Sequence, residues 1–467
     1  MSWFLDAGSA DASTSNLELF QLPPTQTALA SNKFEAFNPL TSLEHGGPLE
    51  YKIHVGDEYY VDPRHVYLYM QAKIVQNNGD LLVDDEEYKV NVPDPDNPGE
   101  TKEETRNRVP DKSVVFPVNN LIGSCFKQVE VFLNNKQVGS ADSLYHYRHY
   151  LECLLSYSSA QKLHQLKTNG YYQDEGGMND HEDTIKDESS TNKGAVARYK
   201  WTRYSKSVET MGKIHSELFE QDKLLLNKMS LSIKMHRNDP SVFLMAKGVT
   251  NQYKLLIEKA VLYVNVKKVS SHVRLSHEER LLKSNAKYPM RKVNMRFFSR
   301  GANRADLSEP NLVNGELPSK IVIGLVRTDA FNGNLGLNPF NFENFNVSQI
   351  GLRRNGQSIP YEPLQFDFEE DNYFMGYFSM MFGTNLWSSN ISNGISMESY
   401  KNGFTLYGFN LTPDDSSGLN WNLVESGNIS LDIRLKRPSD HSITIIAYLE
   451  SDAVMEIESS RNIIYDE

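Results

Sequence analysis

Two short segments of this chain recur, in the same order, about half a chain length further on. Residues 226–236 read LNKMSLSIKMH and residues 426–436 read SGNISLDIRLK. In both, apolar and polar residues alternate after a short Asn-containing turn, the pattern of a strand with one buried face. Residues 129–138 read VEVFLNNKQV and residues 350–359 read IGLRRNGQSI. Each of these is a strand, a tight Asn turn and a return strand. Paired segments in conserved order mark two similar β-domains in tandem.

Length agrees with that reading. A chain of 467 residues exceeds one ordinary core, and each half can bury a core without disulfides or metals. The expected organisation is an N-terminal arm over 1–46, a first domain over 47–270 and a second over 271–467. Tyr and Phe, 24 and 22 of them, favour strands over helices. Long loops between short strands point to sandwiches. The expected fold is all-β: two tandem jelly-roll β-sandwiches, a double jelly roll, with long loops and a few short helices.

Composition narrows the function. The formal net charge of -12 opposes direct nucleic-acid binding, which needs basic surface to displace counterions. No apolar run reaches the length of a membrane span. The start, MSWFLDAGSADAS, lacks the basic and apolar blocks of a secretory signal, so secretion is not expected. Trp3 and Phe4 there are either a loose beginning or a small anchor that docks on a partner. Cys125 and Cys153 form no framework and are expected to be buried free thiols.

Candidate chemistry is sparse. YHYRHY (145–150) lies on an expected helix over 143–166 and places His146 and His149 three residues apart, which is one helical face. A metal reading would need a third ligand, Glu152 or a distant carboxylate; the weightier reading is an amphipathic helix with packed aromatics. Asp180, His181, Glu182 and Asp183 in GMNDHED (177–183) lack an EF-hand pattern and read as a solvated acidic loop. There is no P-loop, no G-x-S-x-G elbow, no H-E-x-x-H and no His-x-His pair. Catalytic, cofactor-binding and metal residues are therefore expected to be absent, and the chain is not expected to be an enzyme. Four N-x-[ST] sequons, at Asn346, Asn390, Asn410 and Asn428, read as chance matches in an Asn-rich sequence.

Several segments resemble major capsid proteins of Polinton (Maverick) and adintovirus type. They include LELFQLPPTQTAL, FNPLTSLEHGGPLEY, VNNLIGSCFKQVEVFLNNKQV, YRHYLECLLSY, YYQDEGGMND, KYPMRKV, IGLVRTDAFNGNLGLNPFNF, YKNGFTLYGFNLTPD and GNISLDIRL. They run in order from about residue 17 to 464. The charged stretch 78–112 and the loop 181–198 look longer than that family's pattern. The resemblance implies a homotrimer whose six jelly rolls make a pseudo-hexagonal capsomer. It implies tiling with neighbouring capsomers into an icosahedral shell, with penton and minor capsid proteins as further partners. The location it implies is the virion capsid, made in the host cytoplasm or nucleus. No cofactor is implied, and membrane contact stays open.

Regions acquire expected roles on that basis. The polar excursions 78–112 and 173–198 would project outward as tower loops or cover a neighbouring subunit, or be disordered loops without a partner. The arm would run beneath the capsomer. Phe331, Phe340, Phe342 and Phe345, in DAFNGNLGLNPFNFENF, would plug an interface or fold back on their own domain. DNYFMGYFSMMFG (371–383) reads as core first and intersubunit packing second. A competing class is a tandem jelly-roll, lectin-like module that stacks Trp387 and Trp421 on sugar rings. Another is a metal-dependent enzyme built on His146 and His149.

Overall fold

The computed structural model describes residues 8–465 except 45, 84–85, 94–100, 109–110, 176, 178, 187, 248–251, 388–390 and 414–420. At 86–93 and 101–108 it describes backbone alone. Trp3 and Phe4 lie outside the described residues.

Eight strands build the two main sheets of the first domain. They are β1 (Leu29–Phe37), β2 (Leu49–Ile53), β3 (Tyr59–Gln76), β4 (Phe126–Leu133), β5 (Lys136–Gln137), β6 (Val208–Lys213), β7 (Leu231–Arg237) and β8 (Tyr253–Val269). Eight more build those of the second: β9 (Ala286–Arg300), β10 (Glu309–Glu316), β11 (Lys320–Arg327), β12 (Val347–Arg354), β13 (Gln357–Gln365), β14 (Leu406–Asn410), β15 (Ser426–Leu435) and β16 (Ile443–Ile457). The first domain's sheets run β1-β8-β3-β6 and β2-β7-β4-β5. The second domain's run β9-β16-β11-β14, with Ile463–Tyr465 added as a fifth strand on β16, and β10-β15-β12-β13. Each of β1 to β8 therefore has its counterpart eight strands later. Two antiparallel sheets in this order are a jelly roll.

The repeated segments occupy equivalent places. In β7, Leu231, Ile233 and Met235 are buried, and in β15, Ile429, Leu431, Ile433 and Leu435 are. Leu231 pairs with Leu133 of β4, and Leu431 with Leu352 of β12. The hairpin turns match too. Asn134 and Asn135 both have positive φ (47° and 69°), as do Asn355 and Gly356 (50° and 86°). Two consecutive left-handed residues make the turn whose twist suits a hairpin, and Asn and Gly adopt it most readily.

Two expectations need correction, for 29–37 and for 173–198, and the excursion 78–112 gains detail. β1 draws residues 29–37 of the supposed arm into the first sheet, paired with β8 from Leu29↔Val269 to Phe37↔Leu262. It is an edge strand exposed along most of its length, so no buried period marked it. The excursion 78–112 contains an antiparallel hairpin, Glu86–Pro93 with Thr101–Arg108. The excursion 173–198 is packed rather than projecting: Asp174, Asn179, Ser190, Asn192 and Arg198 are all buried.

Helix α1 (Tyr145–Ser156) and helix α2 (Lys193–Thr202) belong to the first domain. The linker is helix α3 (Ser271–Leu281), whose one buried residue is Leu281, as its polar sequence requires. Helix α4 (Phe374–Gly383) covers part of the second domain. One hydrophobic core runs without a break through both sandwiches. No helix among the described residues is long and apolar enough to cross a membrane.

Candidate functional site

The functional geometry is a seam between the sandwiches and the surfaces around it. α1 is the centre of the seam. From Tyr145 to Leu155 every residue except Glu152 is buried, so this helix has no solvent face of ordinary width. Tyr150 stacks flat on Phe340 with ring centroids 4.1 Å apart, and Tyr147 packs against Phe331, Phe340 and Phe342. The Tyr147 hydroxyl donates to Pro339 O at 3.0 Å. Phe340 and Phe342 thus plug the first domain of their own chain. Both are buried, and Phe342 also lies against Gly324 and bridges to Phe404 of its own domain, so the segment packs on its own domain as well as across the seam. Phe331 and Phe345 are partly buried and pack against the same core.

Charge networks pin the seam on either side. The Glu217 carboxylate accepts from Arg148 Nη1 at 2.8 Å and from the Val293 N–H of β9 at 3.3 Å. Asp142 accepts from the Met295 N–H at 2.8 Å. These two first-domain acids cap the free edge of β9, which would otherwise present unpaired amides. On the second side, Arg198 pairs with Asp174 at 2.5 Å, both fully buried. Asp174 also accepts from Asn338 Nδ2 at 3.2 Å, and Asp180 from the Asn338 N–H at 2.9 Å. The acidic loop is therefore a seam element. Asp174, Asp180, Arg198 and Asn338 partner one another there, which sequence polarity alone reads as solvation.

The two histidines of 145–150 diverge. His146 sits among Tyr147 and Phe340, and burial pushes its pKa down to about 3. His149 turns instead towards His215, with ring centroids 4.3 Å apart. Burial opposes charge on His215, but the Glu152 carboxylate bonded to its Nδ1 outweighs that and raises it to about 10. Glu152 is lifted by burial and lowered more by Arg148 and His215, to about 2. The metal reading on His146 with His149 fails, since they share no space. His215, distant in sequence, was not legible as their neighbour.

An open hollow of about 560 Å³ is lined by Asp180, Arg327, Glu343, Lys401, Arg437 and His441, among others. Burial and Asp180 push Glu343 up to about 7 against the pull of Arg327. Glu343 carried no motif and was missed.

The surface holds one further feature. α4 turns its small residues inward: Gly376, Ser379 and Gly383 are buried with Met380, while Phe374, Met375 and Phe382 are exposed. Phe374, Phe378, Phe382 and Trp387 stack on one another. A Cβ on Gly383 would lie 2.3 Å from the Gly408 backbone, so close approach to β14 selects glycine and leaves the aromatics outside. The core reading of 371–383 is reversed for these rings. In the arm, Leu17, Leu19, Phe20 and Leu22 are exposed as well.

No protein-family model matches the chain. An uncharacterised protein of Caenorhabditis elegans is 26% identical over 451 residues, covering 95% of this chain and 99% of its own length. A chain of the Sputnik virophage structure superposes with a TM-score of 0.61 at 10% identity, covering 98% of this chain and 93% of that one. The Faustovirus major capsid protein gives 0.55 at 8% identity, covering 95% and 93%. The fold is the double jelly roll of viral capsid proteins. The mavirus major capsid protein agrees, at a TM-score of 0.51 and 10% identity, covering 100% and 96%. These double jelly rolls match over both sandwiches and the seam, not over one domain.

Proposed function

We propose that the chain is a non-enzymatic major capsid protein that trimerises into pseudo-hexagonal capsomers. The observation that carries the proposal is the strand-for-strand correspondence of two jelly rolls sharing one core. A trimer has three-fold symmetry, yet a hexagonal lattice calls for six similar wedges; two equivalent sandwiches per chain supply them. A rigid seam suits that role, since the two wedges must keep one mutual orientation in every copy.

The α4 aromatics are the contact we assign to a neighbouring copy. A patch of stacked, exposed rings on a chain of this charge is otherwise an aggregation liability. The sequence resemblance supports the Polinton and adintovirus type as the lineage we propose, and a nematode relative matched over 99% of its own length fits an element carried in an animal genome. Shell partners beyond other copies would be penton and minor capsid proteins, and the site of action the virion capsid. The domain limits we propose are 29–270 and 271–467, with the arm ending before β1. Static light scattering on purified protein tests the reading: one species at three times the 53.2 kDa chain mass is expected. A strictly monomeric protein at micromolar concentration would overturn it.

A further inference from the structure

The region where α1 meets the end of β6 gathers donor atoms that the capsid role does not use. His149 and Cys153 stand one helical turn apart on α1, and His215 follows β6. Cys153 Sγ lies 3.6 Å from His149 Nδ1 and 3.9 Å from His215 Nε2. All three donor atoms lie within 4.8 Å of one another, and all three residues are buried. An ion bound at about 2.3 Å to sulfur and about 2.0–2.1 Å to nitrogen, in a tetrahedron, separates such donors by about 3.3–3.6 Å. We propose that the first jelly roll binds a zinc ion through His149 Nδ1, Cys153 Sγ and His215 Nε2.

The surroundings are those of a built site. Each ligating histidine needs its other ring nitrogen held by an acceptor, which fixes the tautomer and the ring. His215 Nδ1 is bonded to the Glu152 carboxylate, itself held by Arg148 Nε at 2.9 Å. His149 Nε2 donates to Lys213 O at 3.3 Å. Both nitrogens left over face Cys153. Asn120 closes the fourth side: its amide lies 2.7 Å from His149 Nδ1 and 3.9 Å from Cys153 Sγ, and its buried Oδ1 has no hydrogen-bond partner. Turning that amide over presents Oδ1 to the ion. A Cβ on Gly123 would lie 2.4 Å from His149 Nδ1 and 2.9 Å from Asn120 Nδ2, so glycine there lets both side chains approach. A solvent hollow reaches Glu152, His215 and Glu220 beside the cluster.

One thiolate and two imidazoles, with the Asn120 oxygen as a fourth donor, form a set that takes zinc; the same set suits cupric ion, and copper found in zinc's place would overturn the assignment. The ion would staple the seam helix to β6. Binding displaces the Cys153 thiol proton and also the Nε2 proton of His215, which Glu152 holds as the imidazolium at neutral pH; both protons pass to solvent.

Elemental analysis of the full-length protein, purified from zinc-supplemented cells and dialysed, tests the site. About one zinc per chain is expected. Cys125→Ser retains it, whereas Cys153→Ser and His215→Gln lose it at least about tenfold. Since buried substitutions can unfold the chain, unaltered protein stripped of zinc is also titrated with cobalt. A thiolate-to-cobalt charge-transfer band saturating at one equivalent supports the site. Zinc below about a tenth of an equivalent in unaltered protein, or cobalt uptake without a thiolate band, overturns it.

Discussion

Arg198→Met tests whether the 173–198 segment is a structural part of the seam. The Arg198 side chain is fully buried and makes three hydrogen bonds, to Pro117 O at 2.9 Å, to Tyr172 O and to Asp174 Oδ1 at 2.5 Å. Methionine keeps the length and suits a helix. It removes the cation and leaves two peptide carbonyls and a buried carboxylate short of a donor. Asn192 Nδ2 and Asn338 Nδ2 still reach Asp174, at 2.9 and 3.2 Å, but neither carries charge. Breaking a buried ion pair from one side costs about 3–5 kcal/mol, and the upper part of that range fits a cation with no solvent exposure. The assay is urea unfolding followed by far-UV circular dichroism and tyrosine fluorescence at one chain concentration. The double variant Arg198→Met with Asp174→Asn should recover more than half of the loss, because the orphan charge is gone. Limited proteolysis should cut the single variant within 173–198 and spare the unaltered chain. A loss below about 1 kcal/mol, the range of exposed pairs, would refute the pinned-loop argument.

Further outcomes follow from the same geometry. Gly383→Ala in an open helix would stabilise by up to about 1 kcal/mol; against the Gly408 backbone it should instead destabilise by about 1–3 kcal/mol in thermal or urea unfolding. Glu343 titrates at about 7 in the folded chain against 4.5 ordinarily. The folded state therefore holds the extra proton between those values, and its stability falls as pH rises through that window. Glu343→Gln should flatten this slope and stabilise the protein above pH 7, read by thermal unfolding across pH. Phe374→Glu with Phe382→Glu should keep the chain folded by circular dichroism, since both rings are largely outside the core, while shifting the trimer to monomer in light scattering and lowering the unfolding midpoint in a concentration-dependent way.

Much of the architecture was legible because burial follows period. Leu231, Ile233 and Met235, and Ile429, Leu431 and Ile433, alternate with polar neighbours, and the Asn turns at 134–135 and 355–356 set the register of each hairpin. β1 was hidden for the opposite reason: an edge strand with both faces largely exposed carries no apolar alternation. The seam was hidden because its polar residues are partnered across the chain. Asp174, Arg198 and Asn338 look like surface in sequence and are interior only through one another. The α4 helix misled by composition, because the glycines rather than the phenylalanines face the sheet. The His149, Cys153 and His215 cluster joins one helical face to a residue more than sixty positions away, and no local spacing announces it.

The central claim is that two like sandwiches per chain let three chains imitate six. Class averages of the purified protein in negative stain test it most directly. The account predicts particles of one trimer with a hexagonal outline and six similar lobes around a three-fold axis. Two-lobed single chains, or rings of another symmetry, would contradict it.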